Sequence, residues 1–397
     1  MSGSSRPARA RIWWRRCGIG AVWLLFANMQ QSGAALEHSY RYYEVGNPGA
    51  VTAISDKSQR SAFVLMGGGK DVDEAFRWMI RKAGVRPGTW GKFVILRATG
   101  SAGYNAYVYF SGPDGRTTLP PLDGWTGGAA LGLSSVQTLV VPDRTAADDP
   151  FVNSVVAEAD AVFIAGGDQA NYIRYWQGTT LQQTLNALLA KKVPVGGTSA
   201  GLAILGEFNF AALQGTIKSS RALTNPFDPR ITIGSDPLSP SGGLLSVPAF
   251  ASTITDSHFV HRDRMGRLVT FVARLVASEG GAGCQGGILS ASQGSANYAR
   301  GIGVSEQAAL LVQGDGTGEH FTARRVRNPW TKGRAPVYFV RPLEAPSQCM
   351  PAKPLTVQRV EIRKLADSGT VFNLSDWSGV DGYIVNVEEG MFDTSPY

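Results

Sequence analysis

The stretch Val195-Gly196-Gly197-Thr198-Ser199-Ala200-Gly201-Leu202 places a single serine at the apex of a glycine-flanked turn, after a short apolar run and before a helical one. Gly197-Thr198-Ser199-Ala200-Gly201 fits G-x-S-x-G, a spacing that keeps side chains out of a tight strand-to-helix turn and leaves the hydroxyl exposed above a sheet. The N–H of Ala200 would lie at a helix N-terminus, where it can stabilise a developing oxyanion. Glycine is abundant here, 48 of 397 residues, so an ordinary turn with serine as N-cap reads the same pattern equally well. A nucleophilic serine also needs a base. The chain has four histidines. His38 lies near the N-terminal segment, and His320 sits in a charged, glycine-rich stretch that reads as a turn. His258 and His261 remain, in Thr255-Asp256-Ser257-His258-Phe259-Val260-His261-Arg262-Asp263-Arg264. Either alone is most simply a structural hydrogen-bonding residue; the scarcity of other bases favours this pair. For a carboxylate to orient the imidazole, Gly301 to Val312 offers two apolar runs joined by a polar turn carrying Glu306. By itself that turn reads as a solvated hairpin, and Asp256 is a competing acid.

Positioning such groups needs a rigid frame, and the hydrophobic pattern supplies one. Ala62–Met66, Phe93–Leu96, Val136–Val141 and Ala161–Ile164 read as buried strands, with helical spacing over Asp71–Lys82, Phe151–Glu158 and Leu181–Lys191 between them. Continuous apolar strands alternating with helices predict an α/β fold, a largely parallel sheet with helices on both faces. Glycine pairs or triplets follow three of the strands, at 67–69, 166–167 and 196–197, and should gather at the carboxyl edge where such sheets place their sites. The triplet lacks the spacing and the lysine–serine pair of a phosphate loop, so it reads as a tight turn beside the active site.

Four segments in order resemble the cyanophycinase branch of the serine peptidases, which is related to the aspartyl dipeptidases. They are Ala165-Gly166-Gly167-Asp168-Gln169, Gly196 to Gly201, the run Asp256-Ser257-His258-Phe259 with Arg262, Arg264, Arg267 and Leu268, and Gly301 to Glu306. The resemblance covers about Ala62 to Val312. It implies a fold like the class I glutamine amidotransferase domain, with Ser199 as nucleophile, His258 as base and Glu306 as acid. It also implies oxyanion-hole amides from Gly167 and Ala200, and a substrate site lined by Gln169, Asp256, Ser257, Arg262, Arg264 and Arg267. No cofactor and no metal are needed. The implied substrate is cyanophycin, a poly-aspartate backbone with arginine on each side-chain carboxyl, cut to β-aspartyl-arginine dipeptides. Aspartyl or isoaspartyl peptides are an alternative substrate, and a catalytically dead binding protein on the same fold is an alternative function. The serine here at 257 stands where glutamine is usual in that branch. A glycine-rich stretch, 280–294, lengthens the path from His258 to Glu306. Both departures bear on specificity more than on chemistry.

Arg6, Arg9, Arg11, Arg15 and Arg16 precede an apolar run from Cys17 to Ala27 and small residues ending near Ala35, the pattern of a signal peptide over residues 1–35. A periplasmic or secreted protein is therefore expected, without stable membrane association once the signal is removed. The whole chain carries +7, and taking away the five arginines and no acids of residues 1–35 leaves +2. That balance gives no case for nucleic-acid binding. A peptide substrate is the expected partner, and a homodimer is compatible with the sequence. Cys284 and Cys349 are the cysteines left after residue 35, an even pair that an oxidising compartment would join. No Cys/His cluster suggests a metal. A peptidase domain over 36–323 and a small β-rich C-terminal extension over 324–397 packed on it complete the expected organisation.

Overall fold

Apolar runs become the central strands of the first sheet, and the helical patterns between them become the layers that cover those strands. The structure, a computed structural model, describes residues 38–54, 60–111, 125–233, 243–317 and 320–397; the signal-peptide expectation lies outside the described residues. The strands are β1 (Arg41–Gly46), β2 (Ala62–Met66), β3 (Gly91–Arg97), β4 (Leu133–Val140), β5 (Ala161–Ile164), β6 (Val195–Thr198), β7 (Thr253–Asp256), β8 (Arg300–Val304), β9 (Ala308–Gly314), β10 (Phe321–Arg327), β11 (Val337–Pro342), β12 (Val357–Leu365), β13 (Val371–Asn373), β14 (Gly382–Glu388) and β15 (Met391–Phe392). The helices are α1 (Asp73–Lys82), α2 (Gly103–Phe110), α3 (Gly128–Leu131), α4 (Arg144–Asp148), α5 (Pro150–Ala157), α6 (Gln169–Trp176), α7 (Thr180–Ala190), α8 (Ala200–Ala203), α9 (Ser219–Thr224) and α10 (Met265–Leu275).

The first sheet has nine strands in the order β1-β4-β3-β5-β6-β2-β9-β10-β13. Its centre, β4 through β2, is parallel. Alternate residues of β2 serve the two faces: Phe63 and Leu65 enter one core layer, Val64 and Met66 the other. The expected largely parallel sheet is corrected to a mixed one, because β1 runs antiparallel to β4, and β9, β10 and β13 extend the other side antiparallel. The reason lies in the connections. Parallel neighbours need a crossover, usually helical. Helices occupy the chain between the parallel strands up to β6, whereas only residues 315–320 separate β9 from β10.

The second sheet has six strands, β15-β14-β12-β11-β8-β7. Its only parallel pair is β7 with β8, and α10 lies in the chain between them. The expected C-terminal extension is corrected here too. The boundary at 323/324 cuts through β10, and β11 pairs with β8, β12 with β11 and β14 with β12, so the C-terminal strands build the sheet that carries β7 and β8. Alternating apolar residues of these strands close against α10 in a core of their own, around Leu268, Val272, Val340 and Ile362. A disulfide joins Cys284, after α10, to Cys349, between β11 and β12, with 5.1 Å between their Cα atoms; both are buried.

Candidate active site

Ser199 follows β6 directly, and the turn is as tight as the glycines suggest. A Cβ on Gly197 would stand 2.4 Å from the carbonyl oxygen of Gly201, and one on Gly201 would stand 2.1 Å from that of Ile164 in β5. Both positions therefore require glycine for close backbone approach. Ser199 itself takes φ 54° and ψ −113°, a strained conformation for a residue with a side chain. Its N–H donates to the carbonyl of Met66 (3.0 Å), tying the turn to the end of β2, and its carbonyl accepts from Ala203 in α8 (3.1 Å).

His258 lies just past β7, also with positive φ, 47°. Its N–H donates to the carbonyl of Gly67 (2.7 Å), so the glycine triplet after β2 holds His258 directly. Gly68 has φ +91°, and a Cβ there would stand 2.5 Å from the imidazole Cε1. The ring lies with Nε2 2.7 Å from the Ser199 hydroxyl oxygen. Its other nitrogen, Nδ1, is hydrogen-bonded to Glu306 Oε1. A neutral ring with its proton on Nδ1 then turns the Nε2 lone pair toward Ser199. Glu306 sits between β8 and β9, at the corner where the chain leaves the second sheet for the first. It was expected in a hairpin turn; β8 and β9 pair with different strands instead. The N–H of Gln307 donates to the carbonyl of Gly68 (2.8 Å), so the same triplet anchors the backbone beside both His258 and Glu306.

Burial pushes the His258 pKa below its usual 6.5, Glu306 pulls it up by hydrogen bond and charge, and Arg262 and Arg264 push it down; the net is a lowered value. The ring is thus neutral and basic at neutral pH. An imidazole that can take a proton from a hydroxyl at 2.7 Å, backed by a carboxylate, is the arrangement that activates serine for attack on a carbonyl.

The other expected residues divide. Asp256 is buried, and Arg267 binds it with Nε (2.7 Å) and Nη2 (2.5 Å), while Arg264 Nη1 adds a contact at 3.1 Å. Burial raises the Asp256 pKa, but Arg267 and Arg264 outweigh it and hold the carboxyl low. Burial likewise brings Arg264 down to about 10 against the pull of Asp256. Arg267 is 1% exposed and also donates to Thr216 Oγ1 (3.0 Å) and the carbonyl of Ile217. These three form an internal ion-pair network, which corrects the expectation that Asp256, Arg264 and Arg267 line the substrate site. Ser257 is buried with them: its N–H donates to Asp256 and its carbonyl accepts from Arg264 (2.9 Å), a correction of the same kind. Arg262 and His261 are exposed on the loop. Arg262 is therefore the arginine of the three left open to a ligand. Gly166 abuts the nucleophile, since a Cβ there would lie 3.4 Å from Ser199 Cβ. Gly167 next to it is exposed, and Ala200 is buried at the start of α8. Gln169 opens α6 and reaches only a long contact with the carbonyl of Phe210, 3.5 Å.

One group was not expected. Asp71, just past the glycine triplet, lies beside the Tyr104 hydroxyl and close to Thr198, the residue before Ser199. Burial, together with the charge of Asp73 and against the pull of Tyr104, lifts its pKa to about 6. An acid directly after a glycine turn at the carboxyl edge of a sheet was the signal for it.

Residues 129–220, which include the serine turn, match the family model of Peptidase family S51. The chain is 28% identical over 141 residues to a cyanophycinase of Geminocystis herdmanii, covering 35% of this chain and 46% of that protein. It is 27% identical over 144 residues to a cyanophycinase of Synechococcus elongatus, covering 36% and 39%. The matched region thus spans less than half the length of these relatives. A crystal structure of a peptidase from an acI-B1 Actinobacterium overlaps 70% of this chain and 89% of that one at 16% identity, with a TM-score of 0.37, a likeness too slight to bear on the fold. The chain is thus similar to Peptidase family S51 over the segment that carries the serine turn, and to cyanophycinases over about a third of its length.

Proposed function

We propose that the protein is a serine exopeptidase that cleaves cyanophycin to β-aspartyl-arginine dipeptides. The observation that carries this reading is the continuous run Ser199 Oγ, His258 imidazole, Glu306 carboxylate at the carboxyl edge of the first sheet. Ser199 attacks the scissile carbonyl while His258 Nε2 takes its proton. Glu306 holds the ring and stabilises the imidazolium. The N–H groups of Gly167 and Ala200 bind the oxyanion. His258 then delivers the proton to the leaving amine, and water releases the acyl-enzyme by the same steps in reverse. Arg262 grips a substrate carboxylate, a role its charge, exposure and place on the base's loop support. The parallel centre of the first sheet supports a class I glutamine amidotransferase-like arrangement. The buried disulfide supports an oxidising destination, periplasmic or extracellular.

The test is incubation of the purified protein with cyanophycin and with β-aspartyl and α-aspartyl peptides, products being read by mass spectrometry, beside labelling with a fluorophosphonate probe. Release of β-aspartyl-arginine supports the reading. Labelling with cleavage of simple aspartyl peptides alone moves the substrate to that class. Absence of labelling in folded protein overturns catalysis by Ser199.

A further inference from the structure

The loop that carries His258 is strained at both ends, with φ 47° at His258 and 47° at Asp263. Such backbone persists only where its surroundings over-determine it. At the His258 end the constraint is the bond to Gly67 (2.7 Å). At the other end it comes from far along the chain. The Tyr397 hydroxyl donates to Asp263 Oδ1 (2.9 Å) and accepts from the N–H of Met265 (2.9 Å), the first residue of α10. Arg264, which precedes that helix, supplies no side-chain cap of its own. Tyr397 therefore satisfies one of the unpaired amides with which every helix begins.

The ring of Tyr397 does a second thing. It stands edge-on to Phe259, centroids 6.3 Å apart, and to Tyr338 at 5.7 Å. Phe259 is fully buried and follows His258 directly. Phe259 also lies against Gly303 of β8, where a Cβ would stand 2.4 Å from the ring, and its N–H donates to the carbonyl of Val304 (3.2 Å). Phe259 thus touches both the Tyr397–Tyr338 pair and the strand that leads into Glu306.

We propose that Tyr397 is a positioning residue for the catalytic base: ring and hydroxyl together press the His258 loop onto β8 and so set the distances among Ser199, His258 and Glu306. The inference rests on the catalytic reading above, and its test separates the two. Tyr397→Phe removes the hydroxyl and keeps the ring; Tyr397→Ala removes both. Each is compared with the wild type by rate of fluorophosphonate labelling against pH, at temperatures where circular dichroism shows native structure. The downfield proton resonance of His258 Nδ1 in its hydrogen bond to Glu306 is followed in parallel. Because sub-ångström displacement of reacting groups costs rate steeply, Tyr397→Phe should label about threefold slower and Tyr397→Ala about tenfold slower or worse. Both should shift the pH midpoint of labelling and weaken the downfield proton. A purely structural tyrosine would lower thermal stability and leave rate, midpoint and proton unchanged in folded protein; that result overturns the proposal. If Tyr397→Ala does not fold, Tyr397→Phe decides alone. If the wild type does not label, the catalytic reading falls, and the His258 proton still reports whether Tyr397 positions the ring.

Discussion

Replacing Gly68 by alanine separates the cost of a strained backbone from the cost of a displaced base. Gly68 has φ +91°, and an added Cβ would lie 2.5 Å from His258 Cε1 and 2.6 Å from Nε2. Ordinary contact begins at 3.4 Å, so the imidazole must retreat by roughly 0.9 Å, a third of its 2.7 Å bond to the Ser199 hydroxyl. A misplacement of that size should lower the labelling rate of Ser199 by about a hundredfold. The left-handed conformation itself costs an alanine about 1–2 kcal/mol of stability. Gly69→Ala is the control. Its φ of +77° imposes a similar backbone cost, but its Cβ would meet Glu306 Cβ only at 3.3 Å, about a tenth of an ångström inside ordinary contact. Urea unfolding should therefore show similar stability losses for the two variants, and probe labelling should show a much larger rate loss for Gly68→Ala. Equal rates in the two folded variants would refute the claim that the glycine at 68 makes room for the base.

Ser199→Ala and His258→Ala should each remove several orders of magnitude of peptidase turnover without adding in the double variant, Glu306→Gln should impair it, and His261→Ala should leave it near wild type, since His261 is exposed and outside the Ser199–Glu306 run; a severe loss at His261 with a mild one at His258 would reassign the base. Turnover requires neutral His258, whose pKa lies below 6.5, so the rate should fall only as pH drops below that value. Arg262→Gln removes a cation that disfavours the imidazolium, so the acid limb should move to higher pH, and added salt should move it the same way in the wild type; a limb that stays put separates Arg262 from the base. Asp256→Asn leaves the buried Arg267 guanidinium without a counter-charge and should cost about 3–5 kcal/mol in urea unfolding. Because the folded-state pKa of Asp256 is depressed, its contribution is present above the ordinary carboxylate range and lost as pH falls through the folded value, so the difference between wild type and variant should shrink at strongly acid pH. Replacing Cys284 and Cys349 by serine opens a cross-link between residues 65 apart and should cost about 4 kcal/mol by the chain-entropy relation, read from the same unfolding curves.

The parts of this molecule legible in its sequence are those fixed by local spacing. Ala62–Met66 and Ala161–Ile164 are strands with the bounds their apolar runs suggest. The glycines at 197 and 201 mark a turn where no side chain fits. Ser199, His258 and Glu306 lie far apart in the chain, yet the structure brings them together because each follows the end of a strand, β6 in the first sheet and β7 and β8 in the second. Partner choice was not legible. Arg264 and Arg267 are residue types that bind carboxylates, and the carboxylate they find is Asp256 of their own chain; sequence gives the chemistry of a guanidinium but not its address. Sheet membership was equally hidden. The runs on either side of Glu306 read as a hairpin, and nothing local tells that β8 and β9 pair in different sheets. Tyr397 carries no pattern at all, since its role comes wholly from what lies next to it in space.

The placement of Glu306 at the passage between sheets has a consequence for the life of the chain. Ser199 hangs from the nine-stranded sheet and His258 from the six-stranded one, and Glu306 is the joint between them. Neither half holds all three groups, so the run from Ser199 to Glu306 forms only when the two halves have met in register. A partly folded or locally loosened molecule is chemically silent even where its helices and strands are intact. In the folded protein, the contacts among Ser199, His258 and Glu306 will be lost at the first parting of the two sheets, ahead of the collapse of either.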